Sequence, residues 1–251
     1  MAAAQRILRW EGCFNVRDLG GIAISGDGET RPGAFVRADS LEDLSGAGWA
    51  ALVSHGIRTV VDLRNPEEIG PDRAPRPQDL VTLNVPLDDV ADTDFWAMCH
   101  NQELDGSPLY YGPFLERKPE RCATVMRTLA NVEPGAVVFH CGLGRDRAGL
   151  ISVLLLALAG AAPEDIAADY DLSLVCLAER IRLEEGEARQ TYTERVLARR
   201  NTTSRVLIEE LLGGIEIQDY LREAGVEDYE TEALRTRIVG LPKGRRASTG
   251  E

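Results

Sequence analysis

The sequence predicts an α/β fold: a mostly parallel central sheet flanked by helices, with a catalytic loop between a strand and a buried helix. Three observations predict it. Short apolar, β-branched segments recur along the chain at Phe35-Val36-Arg37, Thr59 to Leu63, Val81 to Val85 and Ala136 to His140. Stretches of helical period separate them, the pattern of a parallel sheet with crossover helices. The segment at 136–140 then runs into His140-Cys141-Gly142-Leu143-Gly144-Arg145-Asp146-Arg147 and a long apolar run, Ala148 to Ala162. That run is bounded by Arg147 and Pro163, so it reads as a buried core helix and not as a membrane span.

The elements follow in order. Residues 7–24 alternate apolar segments with turns and predict a short hairpin around Asn15 to Gly21. After the strand at 35–37, Ser45 to His55 reads as a helix with Trp49, Leu52 and Val53 on its core face. Thr59 to Leu63 is the expected central strand, and Val81 to Val85 another. Pro108 to Val132 reads as helical, with Cys122, Val125, Met126 and Leu129 at core spacing. A helix is expected over Glu164 to Leu177. Residues 179–205 are rich in Arg and Glu. They read either as a solvated helical excursion or as a lid over the loop. Ser204 is the expected cap of a helix to Leu212, Gly213-Gly214 breaks it, and two more helices cover 215–239. No repeat or linker divides the chain. The expectation is one domain over 1–251, with its core at about 7–240 and a frayed tail at 241–251.

Composition narrows the function. The chain has 251 residues, 44% hydrophobic, and a net charge of −13. That length supports a well-buried core. The negative balance disfavours nonspecific binding to nucleic acid or anionic lipid, so an anionic substrate has to be drawn by a local cationic site. Five scattered cysteines and three histidines show no disulfide or metal-ligand spacing, so no cofactor or metal is expected. Reduced thiols and the lack of a signal-peptide pattern at residues 1–10 fit a cytoplasmic location, without excluding export by another route.

The loop at 140–149 carries the chemistry. A turn from a strand into a helix N-terminus aims successive backbone N–H groups at one point. Gly142 and Gly144 supply the positive φ and close approach such a cradle needs. Arg147 brings a planar fork that grips two phosphate oxygens. A thiol in that field ionises more readily and becomes a nucleophile. A cysteine at a strand end is otherwise an inert small hydrophobe; the glycines and Arg147 favour the reactive reading. No Gly-Lys-Ser/Thr completes a Walker loop. Arg147 holds the place where a dinucleotide fingerprint needs its third glycine.

These residues resemble the His-Cys-x5-Arg signature of the cysteine-dependent tyrosine phosphatases. The likeness is greatest to the bacterial and fungal tyrosine/phosphoinositide branch, whose loop reads His-Cys-x-x-Gly-Lys-Asp-Arg. Asn15-Val16-Arg17-Asp18-Leu19-Gly20-Gly21 resembles that branch's N-terminal motif, and further echoes run in order at 35–39, 61–64, 166–170 and 220–226. The resemblance implies a phosphomonoester hydrolase with a phosphocysteine intermediate. Cys141 is then the nucleophile and Arg147 the anion clamp. Gly142, Leu143, Gly144, Arg145 and Ala148 line the phosphate site. Phosphotyrosine in protein is the first expected substrate and a phosphoinositide head group the second, because Arg145 replaces the branch's lysine and suits an added negative group.

Roles beyond the loop stay open at this level. Asp146 is the favoured general acid, with Asp88 or Asp89, which follow a strand end, as alternatives. His140 is expected to orient the loop. Arg17, Asp18 and Arg64 either line the pocket or form a structural ion-pair network. Ala148 replaces the family's usual Thr or Ser, whose hydroxyl assists departure of the sulfur. A phosphate-binding module with little turnover is therefore an alternative, and a sulfurtransferase a more distant one.

Overall fold

The computed structural model describes residues 3–26, 28–184 and 188–240. Its main sheet has five strands in the order β1-β4-β7-β5-β6: β1 (Arg17–Asp18), β4 (Phe35–Ala38), β7 (Ala136–His140), β5 (Ile57–Asp62) and β6 (Val81–Asn84). Only β1 is antiparallel to its neighbour; the other pairings are parallel. β2 (Ala23–Ile24) and β3 (Gly28–Glu29) form a separate small hairpin. The expected mostly parallel α/β sheet is thus present.

Strand alternation sorts the side chains between two cores. Phe35, Val61, Val137 and Phe139 face the larger one, built on α3 (Tyr111–Arg117), α4 (Pro119–Asn131), α5 (Arg147–Ala159), α9 (Ile217–Glu223) and α10 (Asp228–Val239). Val36, Ala38, Val60 and Val138 face Trp10, Val16 and the Trp49 and Leu52 side of α1 (Gly46–Ser54). Both faces are covered, as a parallel sheet requires. Helix α5 is buried from Ala148 to Leu156 and ends on Gly160, whose φ of 85° caps it.

Several expectations are corrected. Asp92 caps α2 (Thr93–Asn101), accepting from the Phe95 amide, a helix absent from the sequence reading. The span 108–132 is not one helix: Lys118 leaves helical geometry (φ −129°, ψ 41°) where it precedes Pro119, as residues before proline do. The hairpin expected at 7–24 is reduced to an Ile7–Arg17 bridge, while a strand pairing of Ala23–Ile24 with Gly28–Glu29 lies further on. Helix α6 (Pro163–Glu184) runs past Leu177. Helix α8 (Ser204–Gly213) is capped by Thr203, not Ser204, with the Thr203 hydroxyl accepting from the Val206 amide. The helix of the charged segment, α7 (Ala188–Arg199), buries Val196 and Leu197 and is not solvated all round. The tail expected to fray, 241–251, lies outside the described residues.

The register brings the site together. Ala38 and Asp62 flank His140 at the carboxyl ends of their strands. The loops after β4, β5 and β7 therefore converge where open α/β sheets place ligands. Among the described residues no helix is long and apolar enough to cross a membrane.

Candidate active site

Cys141 directly follows β7 and is nearly buried, at 2% exposure. Residues 141–147 turn tightly into α5, whose N-terminus has no side-chain cap. Gly144 is required twice over. Its φ is 64°, and a Cβ there would fall 2.4 Å from the Ala38 carbonyl oxygen. Gly142 is different from the expectation: its φ is not positive, and a Cβ would meet only the Arg147 Nη2 at 3.9 Å.

The orientation of the loop follows from where its carbonyls go. The Cys141 carbonyl faces His140 Nδ1 at 3.4 Å. The Gly142 carbonyl accepts from the Ser40 amide at 3.0 Å, and the Leu143 carbonyl from Asn15 Nδ2 at 2.8 Å. Arg37 Nη2 donates to the Gly144 and Arg145 carbonyls at 2.7 and 3.2 Å. The Tyr111 hydroxyl donates to the Asp146 carbonyl at 2.9 Å. In a trans peptide each carbonyl points opposite the next residue's N–H. Carbonyls held outward therefore turn the amides of residues 142–147 inward. Among the described residues none of those six amides has a protein acceptor. Free amides at the entry to a helix are the kind of group that suits an anion.

Arg147 begins α5 at the end of the loop. Glu68, on a short 3-10 turn after β5, takes its two terminal nitrogens at 2.6 and 2.7 Å. Asp88 Oδ2 lies 3.3 Å from Nη1. Burial opposes the arginine's charge, but Glu68, Cys141 and Asp88 outweigh it and keep the guanidinium protonated. Burial also works against the Glu68 carboxylate, yet its bonds to Arg147 and Asn65 hold it below the usual range.

The three candidate acids differ in surroundings. Asp88 is pushed up to about 6, first by burial, with Glu68 and Asp146 adding and Arg147 opposing. Asp89 is held by Lys118 and Arg121, each at 3.0 Å, and Lys118 chiefly lowers it. Asp146 accepts from its neighbour Arg145, Nε at 3.1 Å and Nη2 at 3.3 Å.

The supporting residues point inward. Arg145 is 2% exposed and its guanidinium donates to the Gly106 carbonyl at 2.8 Å, so it is turned away from solvent. Arg64 pairs with Asp62 and Glu42. Arg17 donates to Ser173 and to the Asp169 carbonyl. Asp18 accepts from the amides of Gly20 and Gly33. All three are engaged in ion pairs of the fold, Arg17 with Asp169, Asp18 with His55 and Arg64 with Asp62. His140 is pushed down to about 4 by burial, against the pull of Asp62, and is neutral at physiological pH. The Ser152 hydroxyl donates to the Ala148 carbonyl at 2.7 Å, which commits its proton and leaves Ala148 without a substitute hydroxyl.

Glu68 and Tyr111 were not singled out from the sequence. Arg37 was quoted only within a motif, although a charged residue inside the apolar strand Phe35-Val36-Arg37-Ala38 was itself a signal.

A family model described as the tyrosine phosphatase family matches residues 8–240. The chain belongs to the tyrosine phosphatase family. The match supports a protein-tyrosine-phosphatase-type hydrolase. Individual relatives agree. A Cupriavidus necator protein provisionally assigned as a tyrosine-protein phosphatase is 34% identical over 65% of this chain and 61% of its own. A tyrosine-protein phosphatase of Nostoc commune is 29% identical over 82% of this chain and 74% of its own. The triple specificity protein phosphatase PtpB of Mycobacterium tuberculosis is 28% identical over 91% and 98%.

Proposed function

We propose that this phosphatase-family protein hydrolyses phosphomonoesters through a phosphocysteine on Cys141. The observation that supports the reading is that the amides of residues 142–147 have no protein acceptor among the described residues, while Arg147 at the end of the same loop feels the charge of Cys141. The Cys141 thiolate attacks phosphorus in line. The amides of residues 142–147 and the free edge of Arg147 hold the equatorial oxygens, so charge is stabilised by groups already in place. The phosphorus–oxygen bond to the leaving group breaks as the sulfur–phosphorus bond forms, and the leaving oxygen takes the acid's proton; water then attacks phosphorus, gives its proton to the carboxylate left behind, and releases the sulfur as thiolate.

The proton is assigned to Asp88. It lies beside Arg147 and carries a raised proton affinity, so a fraction is protonated near neutral pH. Asp146 is the second reading, favoured by its place in the loop next to Arg147; its carboxylate is engaged by Arg145.

Phosphotyrosine in protein is the proposed substrate. The names of the relatives support it. The inward turn of Arg145 removes the cation that would greet a second phosphate, which puts phosphoinositides behind phosphotyrosine. The triple specificity of PtpB keeps them on the substrate panel. A phosphotyrosine peptide, a phosphoserine peptide and a phosphoinositide vesicle, compared at equal phosphate concentration, test the order. Release from the vesicle alone reverses it. The reading needs Cys141 reduced, which fits the expected cytoplasmic setting.

A further inference from the structure

Beside the nucleophile loop lies a buried cationic cluster. Asp169 on α6 accepts from Arg6 Nη1 at 2.6 Å and from Arg37 Nη1 at 2.9 Å, and lies 3.5 Å from Arg17 Nε. All four side chains are buried. Three guanidinium groups share one carboxylate. Burial opposes the Asp169 charge, but Arg17, Arg37 and Arg6 hold it well below the usual carboxylate range. Burying unbalanced charge is costly, and apolar residues would serve stability better. The excess positive charge sits next to the loop that the proposed function assigns to an anion.

One member reaches that loop. Strand alternation on β4 sends Arg37 to the α5 face of the sheet, opposite Val36 and Ala38. With Nη1 on Asp169, its Nη2 spans the Gly144 and Arg145 carbonyls. Those two bonds set the peptide planes that carry the Arg145 and Asp146 amides. Access depends on Gly149, in the first turn of α5. A Cβ there would lie 2.5 Å from the Tyr111 hydroxyl and 3.2 Å from Arg37 Nη2. Both side-chain donors to the end of the loop pass through the space that glycine leaves.

We propose that Arg37, anchored by Asp169 and threaded past Gly149, is a positioning residue for the phosphate site: it touches no phosphate but aims two of the amides that do. The inference rests on the loop being that site, as proposed above. Lysine at 37 keeps a charge for Asp169, but a single ammonium does not reproduce the planar fork that spans both carbonyls. Alanine at 149 ordinarily stabilises a helix, so a loss of anion binding there is not a helix effect.

The test measures orthovanadate affinity by calorimetry and p-nitrophenyl phosphate kinetics on the full chain, for wild type, Arg37→Lys and Gly149→Ala, with thermal melts alongside. The expected result is vanadate affinity reduced about ten-fold or more in both variants, a raised KM and cooperative melting retained. The position of the pH profile stays that of wild type, because the proton donor is untouched. Should Arg37→Lys fail to fold, Gly149→Ala carries the test alone. Folded variants that bind vanadate within about two-fold of wild type overturn the proposal. Wild-type protein that ignores vanadate overturns the phosphate-site reading instead, and this inference with it.

Discussion

Glu68 grips Arg147 end-on, Oε2 to Nη1 at 2.6 Å and Oε1 to Nη2 at 2.7 Å. The pair occupies one edge of the guanidinium and leaves the Nε–H edge for an anion. The Glu68 carboxylate is fixed in turn, because it also accepts from the Asn65 amide at 2.8 Å. In the proposed mechanism Glu68 is thus a rigid post for Arg147. Glu68→Gln keeps the shape but loses the charge-assisted pair, and kcat/KM for p-nitrophenyl phosphate should fall by about ten-fold or more. A variant with wild-type kcat/KM would show that Arg147 needs no post.

Asp88 makes a pH prediction. Its affinity for a proton is raised to about 6, and only the protonated form donates. The rate on phosphotyrosine should therefore be full below that value and fall as pH rises through it. Asp88→Asn should remove the alkaline fall and lower kcat by about 100-fold, within the usual span for a general acid. Asp146→Asn should keep the fall. If Asp146→Asn removes it and Asp88→Asn does not, the proton belongs to Asp146.

Ala148 makes a prediction about the second chemical step. It is fully buried at the start of α5, and the Ser152 hydroxyl is spent on its carbonyl. In the proposed mechanism neither position offers the departing sulfur a hydroxyl proton. Rapid-quench kinetics should show a burst of nitrophenol followed by a slower steady state. Ala148→Ser should speed the steady state by about three-fold or more and shrink the burst. A wild type without a burst places the slow step elsewhere.

Much of this was legible in the sequence, for a physical reason. Residues 136–149 are dictated locally: an apolar strand, a glycine that alone fits at 144, and an apolar helix. The sheet followed from β-branched segments of the right length. What the sequence hid depends on distance along the chain. Glu68 meets Arg147 across 79 positions and Arg37 meets Asp169 across 132. Neither charge shows its partner in a linear pattern. The inward turn of Arg145 was hidden for the same reason, since its acceptor is the Gly106 carbonyl. Helix α2 was missed because it is short and only Phe95 and Cys99 are buried on it. The break at Lys118 was available from Pro119.

His140 links the site to stability. It is buried, and its proton affinity is lowered from 6.5 to about 4 in the folded protein. The unfolded chain therefore binds the proton first as pH falls. This contribution to stability is complete above pH 6.5 and is lost progressively from there down to about 4. Urea melts across that window should show the decline, and His140→Asn should flatten it. An unchanged slope in the variant would assign the acid loss to other groups.

The most direct measurement is to acid-quench the enzyme during turnover of p-nitrophenyl phosphate and map phosphate by mass spectrometry. The prediction is one phosphoryl group on Cys141, with adduct and turnover both lost in Cys141→Ser. Steady turnover by Cys141→Ser, or wild-type turnover with phosphate on another residue, would contradict it.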